Sequence, residues 1–212
     1  PYDVYIAPGL VGMVLLFNGM QSSLAMVYDR EMGLMRLLLT APLPRAWLLL
    51  CKLCATALLS VLQALAFVIV ATLVGTDLPL LSLSGLHALL AVVFGALMLG
   101  ALGLLLSVHI KQLENFAGTM NFVIFPMYFM STALYPLWKL RESGAEWVYQ
   151  LARFNPFTHA VEWIRFALYG KDPGAAPWIV LGCLVAFFVL ACWGYDPQRG
   201  FGGLTRRGGG PA

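Results

Sequence analysis

Cysteine and histidine are the residues of this chain whose spacing could indicate redox or metal chemistry. Cys51 and Cys54 have the separation of a redox-active thiol pair, but they lie where an apolar run begins, outside any soluble strand-to-helix setting. The other cysteines also lie in or beside apolar runs, where thiols behave as small hydrophobic side chains. His87, His109 and His159 are far apart and none has a partner at ligand spacing, so the sequence predicts no metal site.

The sequence also contains no loop suited to the phosphates of a nucleotide. Such loops follow the pattern GxxxxGK with Ser or Thr next, whereas the Gly170-Lys171 pair is followed by Asp172. The net charge of +3 is spread along the chain, which favours contact with anionic lipid headgroups over nucleic acid. We therefore predict that this chain is not an enzyme, binds no cofactor itself and binds no nucleic acid.

Polar side chains inside the apolar runs are the remaining candidates for function. Such groups either hydrogen-bond between helices or line a substrate path, and the sequence favours helix contacts. The candidate path-lining residues are Asn18, Gln21, Gln63, Thr119 and Asn121. No Asp, Glu, Lys or Arg lies in the middle of a run, which argues against the proton and sodium relays of ion-coupled transport. Sodium sites made of carbonyl and hydroxyl groups stay open as an alternative.

Long apolar runs must position these side chains. The chain is 60% hydrophobic and 11% charged, whereas soluble domains have about 25% charged residues, so a water-soluble fold is excluded. Each run reaches the roughly 20 residues that a helix needs to cross a bilayer, and its continuous apolar character favours helices over barrel strands. We predict an all-α bundle in a single transmembrane domain, residues 1–196, with spans at about 5–28, 46–74, 84–108, 115–135 and 174–195.

Lysine and arginine indicate which helix ends face the cytoplasm, because short cytoplasmic loops carry an excess of them. The basic residues assigned to that side are Arg30, Arg36, Arg45, Lys52, Lys111, Arg199, Arg206 and Arg207. The first residue then lies outside and the C-terminus in the cytoplasm. Residues 136–172 lie outside, and their balanced charge and many aromatic residues predict interfacial helices. The glycine-rich, basic residues 197–212 predict a disordered cytoplasmic tail.

Residues 29–42 have the pattern of a short amphipathic helix at the cytoplasmic membrane surface. Polar residues recur at helical spacing opposite a leucine-rich stripe. Pro42 and Pro44 then end the helix, because proline lacks an amide donor and disfavours helix at the residue before it. On this pattern alone, the favoured interpretation is a surface helix that joins two spans.

A second short helix is predicted within the outer segment. Asn155 is a suitable N-cap and Pro156 a suitable first helical residue. The residues that then mark one apolar face are Phe157, Ala160, Val161, Ile164 and Leu168. A helix that packs the outer ends of the bundle explains this pattern at least as well as direct contact with a substrate.

These two segments resemble motifs of the ATP-binding cassette (ABC) type-2 exporter permeases. In that family an Arg-Glu-x-Gly turn leads into a leucine-rich helix ending in proline, and the matching residues are Arg30, Glu31, Gly33, Leu38, Leu39 and Pro42. The outer sequence from Asn155 to Glu162 is similar to the Asn-Pro signature before the family's last helix. The resemblance covers essentially the whole chain, from the family's second span to its last. Leu34 and Arg36 depart from the small residue and the acid usual in the family, which bears on the contacts with the ATPase.

The resemblance implies the membrane-spanning subunit of an ATP-driven exporter. The inner helix would dock on a separate nucleotide-binding ATPase subunit carrying ATP and Mg²⁺, and the permease would form a homodimer with a second copy. The residues implied in coupling are Arg30, Glu31, Gly33, Arg36, Leu38 and Pro42, and those of the outer re-entrant motif are Asn155, Pro156, Phe157 and Glu162.

The resemblance also implies a location and a complete architecture. We expect the cytoplasmic membrane of a bacterium, with lipids around the bundle, and six spans in the intact subunit, the first of which precedes this sequence. A membrane-embedded scaffold or enzyme subunit without transport, and an ion-coupled secondary transporter, stay open as alternatives. Family members carry drugs, lipids or saccharides, and the fold does not specify the cargo.

Overall fold

Helices form all the regular structure in the part of the chain that the computed structural model describes, which is residues 2–33, 44–75, 83–110, 113–135 and 146–194. In chain order they are α1 (Tyr2–Glu31), α2 (Arg45–Leu73), α3 (Leu83–His109), α4 (Leu113–Phe129), α5 (Glu146–Phe154), α6 (Pro156–Leu168) and α7 (Ala176–Gly194). No strand occurs within these ranges. The prediction of an all-helical protein is therefore confirmed for them.

Four of these helices, α1, α2, α3 and α7, are long and apolar enough to cross a membrane. The fifth predicted span, residues 115–135, differs. There the helix α4 has 17 residues, and it rises only about 26 Å against a hydrocarbon core of about 30 Å. Its last turn contains Pro126, and turns follow after Phe129. The count of five spans is therefore not confirmed.

The helix α3 lies at the centre of the bundle and packs against α1, α2, α6 and α7. Its side chains are small where neighbouring helices approach, as at Ala91 and Ala96, which are fully buried. A Cβ atom added at Gly103 would lie 2.6 Å from the carbonyl oxygen of Gly19 on α1. Small residues at such crossings let helix backbones come close, which is how transmembrane helices gain packing contacts.

The inner end of α1 differs from the sequence prediction. Asp29, Arg30 and Glu31 continue α1 instead of beginning a separate helix at residue 29. The helix ends at Glu31, and Gly33 follows in the turn with a φ of 76°, in the left-handed region that glycine adopts without steric cost. The remainder of the predicted inner helix, with Arg36, Leu38 and Pro42, lies outside the described residues, as does the predicted tail 197–212.

The outer segment contains two short helices that are placed differently. On α5, Trp147 and Phe154 are exposed. The helix α6 instead packs into the bundle against α1, α3 and α7, with its predicted apolar face buried, including Phe157 and Val161. The prediction of an apolar face on α6 is confirmed, and this helix forms part of the core. The described part of the outer segment excludes residues 136–145.

Candidate functional site

Polar side chains join α1 to α2 within the apolar part of the bundle. The amide nitrogen Nδ2 of Asn18 donates to Oε1 of Gln63 at 2.6 Å, and the hydroxyls of Ser22 and Thr56 are hydrogen-bonded to each other. The two helices run antiparallel, so each pair lies at its own depth along the contact. Two of the candidate path-lining residues, Asn18 and Gln63, therefore bond directly to each other, as helix-to-helix contacts do.

An ion pair joins the same two helices near their inner ends. Nζ of Lys52 lies 2.7 Å from Oδ2 of Asp29, and both side chains are about one-third exposed. Exposed ion pairs add little to stability, so the main effect of this contact is geometric. It joins α1, which precedes residues 34–43, to α2, which follows them. Arg30 and Glu31, which the resemblance assigns to coupling, follow directly in the last turn of α1.

The remaining candidate path-lining residues take no part in the hydrogen bond between Asn18 and Gln63. Gln21 is exposed on α1 and Asn121 is exposed on α4. The hydroxyl of Thr119 donates to the carbonyl oxygen of Asn115 at 2.8 Å, one turn earlier in α4. An exposed amide is costly against lipid, because hydrocarbon offers it no hydrogen-bond partner. A polar surface beside Gln21 and Asn121 would supply such a partner.

Asn155 joins the beginning of α6 to the end of α4. Its Oδ1 accepts a hydrogen bond from the backbone N–H of Phe157 at 3.0 Å, which caps α6. Its Nδ2 donates to the carbonyl oxygens of Met127 at 2.7 Å and Met130 at 3.2 Å. The last carbonyls of a helix have no partner within the helix, so this side chain satisfies groups at two helix ends. The prediction that Asn155 caps a helix opened by Pro156 is confirmed.

Arg165 is a buried cation that the sequence analysis missed. Its side chain on α6 is only 8% exposed, and Nη2 donates to the carbonyl oxygen of Thr132 at 2.8 Å. The hydroxyl of Tyr5 donates to the same carbonyl at 2.9 Å, and Cζ of Arg165 lies 3.9 Å from the centre of the Tyr5 ring. We call these three residues the Arg165 junction. The signal in the sequence was that Arg165 lies one helical turn after Val161, which belongs to the predicted apolar face.

Charged groups on α6 are affected by their burial. Burial lowers the pKa of the Arg165 guanidinium, while Tyr5 and Glu162 act in the opposite direction. Burial also raises the pKa of the Glu162 carboxyl, against the opposing effects of His159 and Arg165. Arg165 nevertheless keeps its proton, because guanidinium is not deprotonated in proteins. The end of the bundle where α6 packs thus holds a fixed and largely buried positive charge.

The fold and its buried polar contacts define a multi-pass helical membrane protein. The sequence pattern of the ABC-2 type transporter family matches residues 2–169, and the chain belongs to this family. Proteins named "Putative transport permease ycf38" are 29% identical over 172 residues in Porphyra purpurea and 31% identical over 170 residues in Pyropia yezoensis. These alignments cover 81% and 78% of this chain.

The chain spans about half the length of the curated relatives it matches, 57% for the protein of Porphyra purpurea and 55% for that of Pyropia yezoensis. No solved structure was found to match the chain. The family assigned from the two sequence motifs is confirmed, since both motifs lie within the matched residues.

Proposed function

We propose that this chain is the membrane-spanning permease subunit of an ABC exporter, forming the translocation path and driven by a separate nucleotide-binding ATPase subunit. The observation that carries the proposal is the family match over residues 2–169. ATP and Mg²⁺ would bind to the ATPase, because this sequence has no phosphate-binding loop. The proposal places the protein in the cytoplasmic membrane of a bacterium, with its C-terminus in the cytoplasm.

The proposed coupling surface begins at the inner end of α1. Arg30 and Glu31 lie there, and Gly33 follows in the turn. The ion pair between Asp29 and Lys52 joins α1, before the connecting segment, to α2, after it. A displacement of the segment between α1 and α2 would therefore move both helices as a unit, which is a rigid-body transition. Arg36, Leu38 and Pro42 complete the proposed surface.

The proposed translocation path lies between two copies of the chain. Gln21 on α1 and Asn121 on α4 are exposed amides on helices that pack against each other. A hydrated path shared with a second copy would supply the hydrogen bonds that lipid cannot. The hydrogen-bonded pair of Asn18 and Gln63 would border this path, and Thr119 belongs to the same proposed set.

Reconstitution with the ATPase tests this proposal. The permease is placed in lipid vesicles with the nucleotide-binding ATPase that co-purifies with it, and ATP hydrolysis is measured with and without permease. Transport is then followed with a labelled lipid, a fluorescent drug and a labelled oligosaccharide. We expect stimulated hydrolysis and ATP-dependent transport of one probe, both abolished when the phosphate-loop lysine of the ATPase is replaced.

Two outcomes would contradict the proposal. Transport driven by a sodium or proton gradient without the ATPase would indicate an ion-coupled transporter. A stable complex that neither stimulates hydrolysis nor moves any probe would indicate a scaffold subunit.

A further inference from the structure

Arg165 lies where three separate parts of the fold meet. Its own helix, α6, contributes the guanidinium, α1 contributes Tyr5, and the turn after α4 contributes the carbonyl of Thr132. A carbonyl oxygen has two lone pairs, and here Arg165 and Tyr5 each donate to it. The cation also lies over the Tyr5 ring at 3.9 Å, within the range of a cation–π contact. The Arg165 side chain therefore links α6 both to α1 and to the turn after α4.

Stability alone does not explain a guanidinium at this position. Removing a charge from water costs free energy, and well-packed apolar side chains of similar volume often give equal or greater stability than a buried ionic contact. The neighbours of Arg165 on α6 are already buried apolar residues, such as Ile164 and Leu168. A methionine or leucine would suit these surroundings. The guanidinium provides directional contacts that an apolar side chain cannot make.

The surrounding contacts join α4 to α6 by side-chain hydrogen bonds and α1 to the turn after α4 by backbone packing. Asn155 binds the beginning of α6 to Met127 and Met130 at the end of α4, so α4 and α6 are joined at a second place. The helix α1 meets the turn after α4 by backbone packing, since a Cβ atom added at Gly9 would lie 2.9 Å from the carbonyl carbon of Ala133. A movement of α1 away from α4 and α6 must therefore break the contact between Arg165 and Tyr5.

We propose that Arg165 is a positioning residue that holds the outer end of α1 against α4 and α6, and so keeps this end of the bundle closed. The inference rests on the proposed function, because it specifies how the exit of the path is held shut. When α1 moves away, water solvates the guanidinium, whereas an apolar contact would lose its burial without compensation. A charged contact therefore supports two discrete arrangements, closed by protein groups and open in water.

A cysteine reporter at Thr132 tests the inference. Thr132 is fully buried, and its hydroxyl has no hydrogen-bond partner within the described part of the chain, so Thr132→Cys removes no such bond and keeps the carbonyl. The four native cysteines are first replaced by alanine. The reporter is then labelled with a water-soluble maleimide in permeabilised membranes containing the full-length transporter, and the labelling rate is measured.

Arg165→Met is expected to raise the labelling rate by about tenfold, because a hydrogen bond from a charged donor and a cation–π contact are lost. Arg165→Lys keeps a cation near Tyr5 and is expected to give a rate closer to that of the parent. The matched control is Arg153→Met, which removes an exposed positive charge from the neighbouring helix α5 and should leave the rate unchanged. Thermal unfolding should show that Arg165→Met is as stable as the parent or more so.

An unchanged labelling rate in folded Arg165→Met would overturn the inference. If that variant does not fold, Tyr5→Leu takes its place, since it removes the ring and the second donor while Arg165 remains. A raised rate in Tyr5→Leu supports the inference, and an unchanged rate overturns it. The labelling needs no ATPase, so a missing ATP-dependent transport would count against the proposed function and leave this result standing.

Discussion

The amide of Asn155 serves two helix ends at once, which gives the Asn-Pro motif a physical basis. Its oxygen caps α6, and its nitrogen binds two carbonyls at the end of α4. In hydrocarbon surroundings, unpaired backbone groups at helix ends are more costly than in water. The same side chain thereby orients α6 relative to α4. The amide side chains of Asn and Gln suit this role because they carry two N–H donors beside an acceptor oxygen.

Two substitutions separate these roles of Asn155. Asn155→Ala loses the cap and both carbonyl contacts, and should lower the free energy of unfolding by roughly 2–4 kcal/mol. Asn155→Asp keeps the capping oxygen but loses the Nδ2 donor. Its free energy of unfolding should fall by roughly 1–3 kcal/mol, and this decrease measures the contacts with α4. Thermal unfolding in detergent measures both, with exposed Asn121→Ala as the control. An Asn155→Asp protein as stable as the parent would show that the carbonyl contacts do not matter.

The sequence predicts these residue contacts only where they are local. The cap partner of Asn155 is two residues away, so a helix-start pattern was enough to predict it. The carbonyls of Met127 and Met130 are 28 and 25 residues away, and the carbonyl that Arg165 binds is 33 residues away. No periodicity reports contacts between such distant segments. For that reason the cap was predicted and the Arg165 junction was not.

At the scale of helices, α1 and α3 cross closely through glycine. A Cβ atom at Gly19 would lie 3.0 Å from the backbone of Leu99, and one at Gly103 would overlap the hydroxyl of Ser23. That hydroxyl already donates to the carbonyl oxygen of Gly19 at 2.9 Å. Close backbone approach replaces the hydrophobic driving force that is missing between helices in lipid. This crossing positions α1, on which Gln21 and two of the proposed coupling residues, Arg30 and Glu31, lie.

Gly103→Ala should therefore disturb the crossing. The added methyl group meets a hydroxyl and a backbone carbonyl at once, and overpacking of this kind costs about 1–3 kcal/mol. Gly182→Ala on α7 is the matched control, because nothing lies within 4 Å of the Cβ position and alanine is the better helix former. The thermal unfolding temperature should fall for Gly103→Ala and stay level or rise for Gly182→Ala. Equal temperatures for both variants would contradict the close crossing.

Hydropathy predicted the long helices well, because lipid contact demands continuous apolar sequence. It failed where a helix end does not coincide with the end of an apolar run. The charge of Asp29 ended the first apolar run, yet α1 continues to Glu31, and Lys52 pairs with the Asp29 carboxylate. The apolar run over 115–135 was predicted as one span, but its helix, which contains Pro126, ends at Phe129. Hydropathy does not register turns, so it did not predict this end.

At the scale of the whole molecule, the proposed function assigns a partner to each of two exposed surfaces. Under that proposal, the exposed amides on α1 and α4 would face a second copy across a hydrated path, and the inner end of α1 would contact the ATPase. Under the proposed function, the energy for transport comes from ATP hydrolysed on a separate subunit. The Asp29–Lys52 pair and the Arg165 junction lie at opposite ends of α1. A displacement at the inner end could thus reach the outer end through one continuous helix.

Charge reversal at the proposed coupling surface tests this transmission. Glu31→Lys combined with Arg36→Glu should abolish the permease-dependent stimulation of ATP hydrolysis and reduce transport at least tenfold, because docking surfaces depend on complementary charge. The unfolding temperature should not change, since Glu31 is exposed. Glu114→Lys is the control, as it reverses an exposed charge at the beginning of α4. If the double variant stimulates hydrolysis and transports as well as the Glu114→Lys protein, Glu31 and Arg36 do not couple the two subunits.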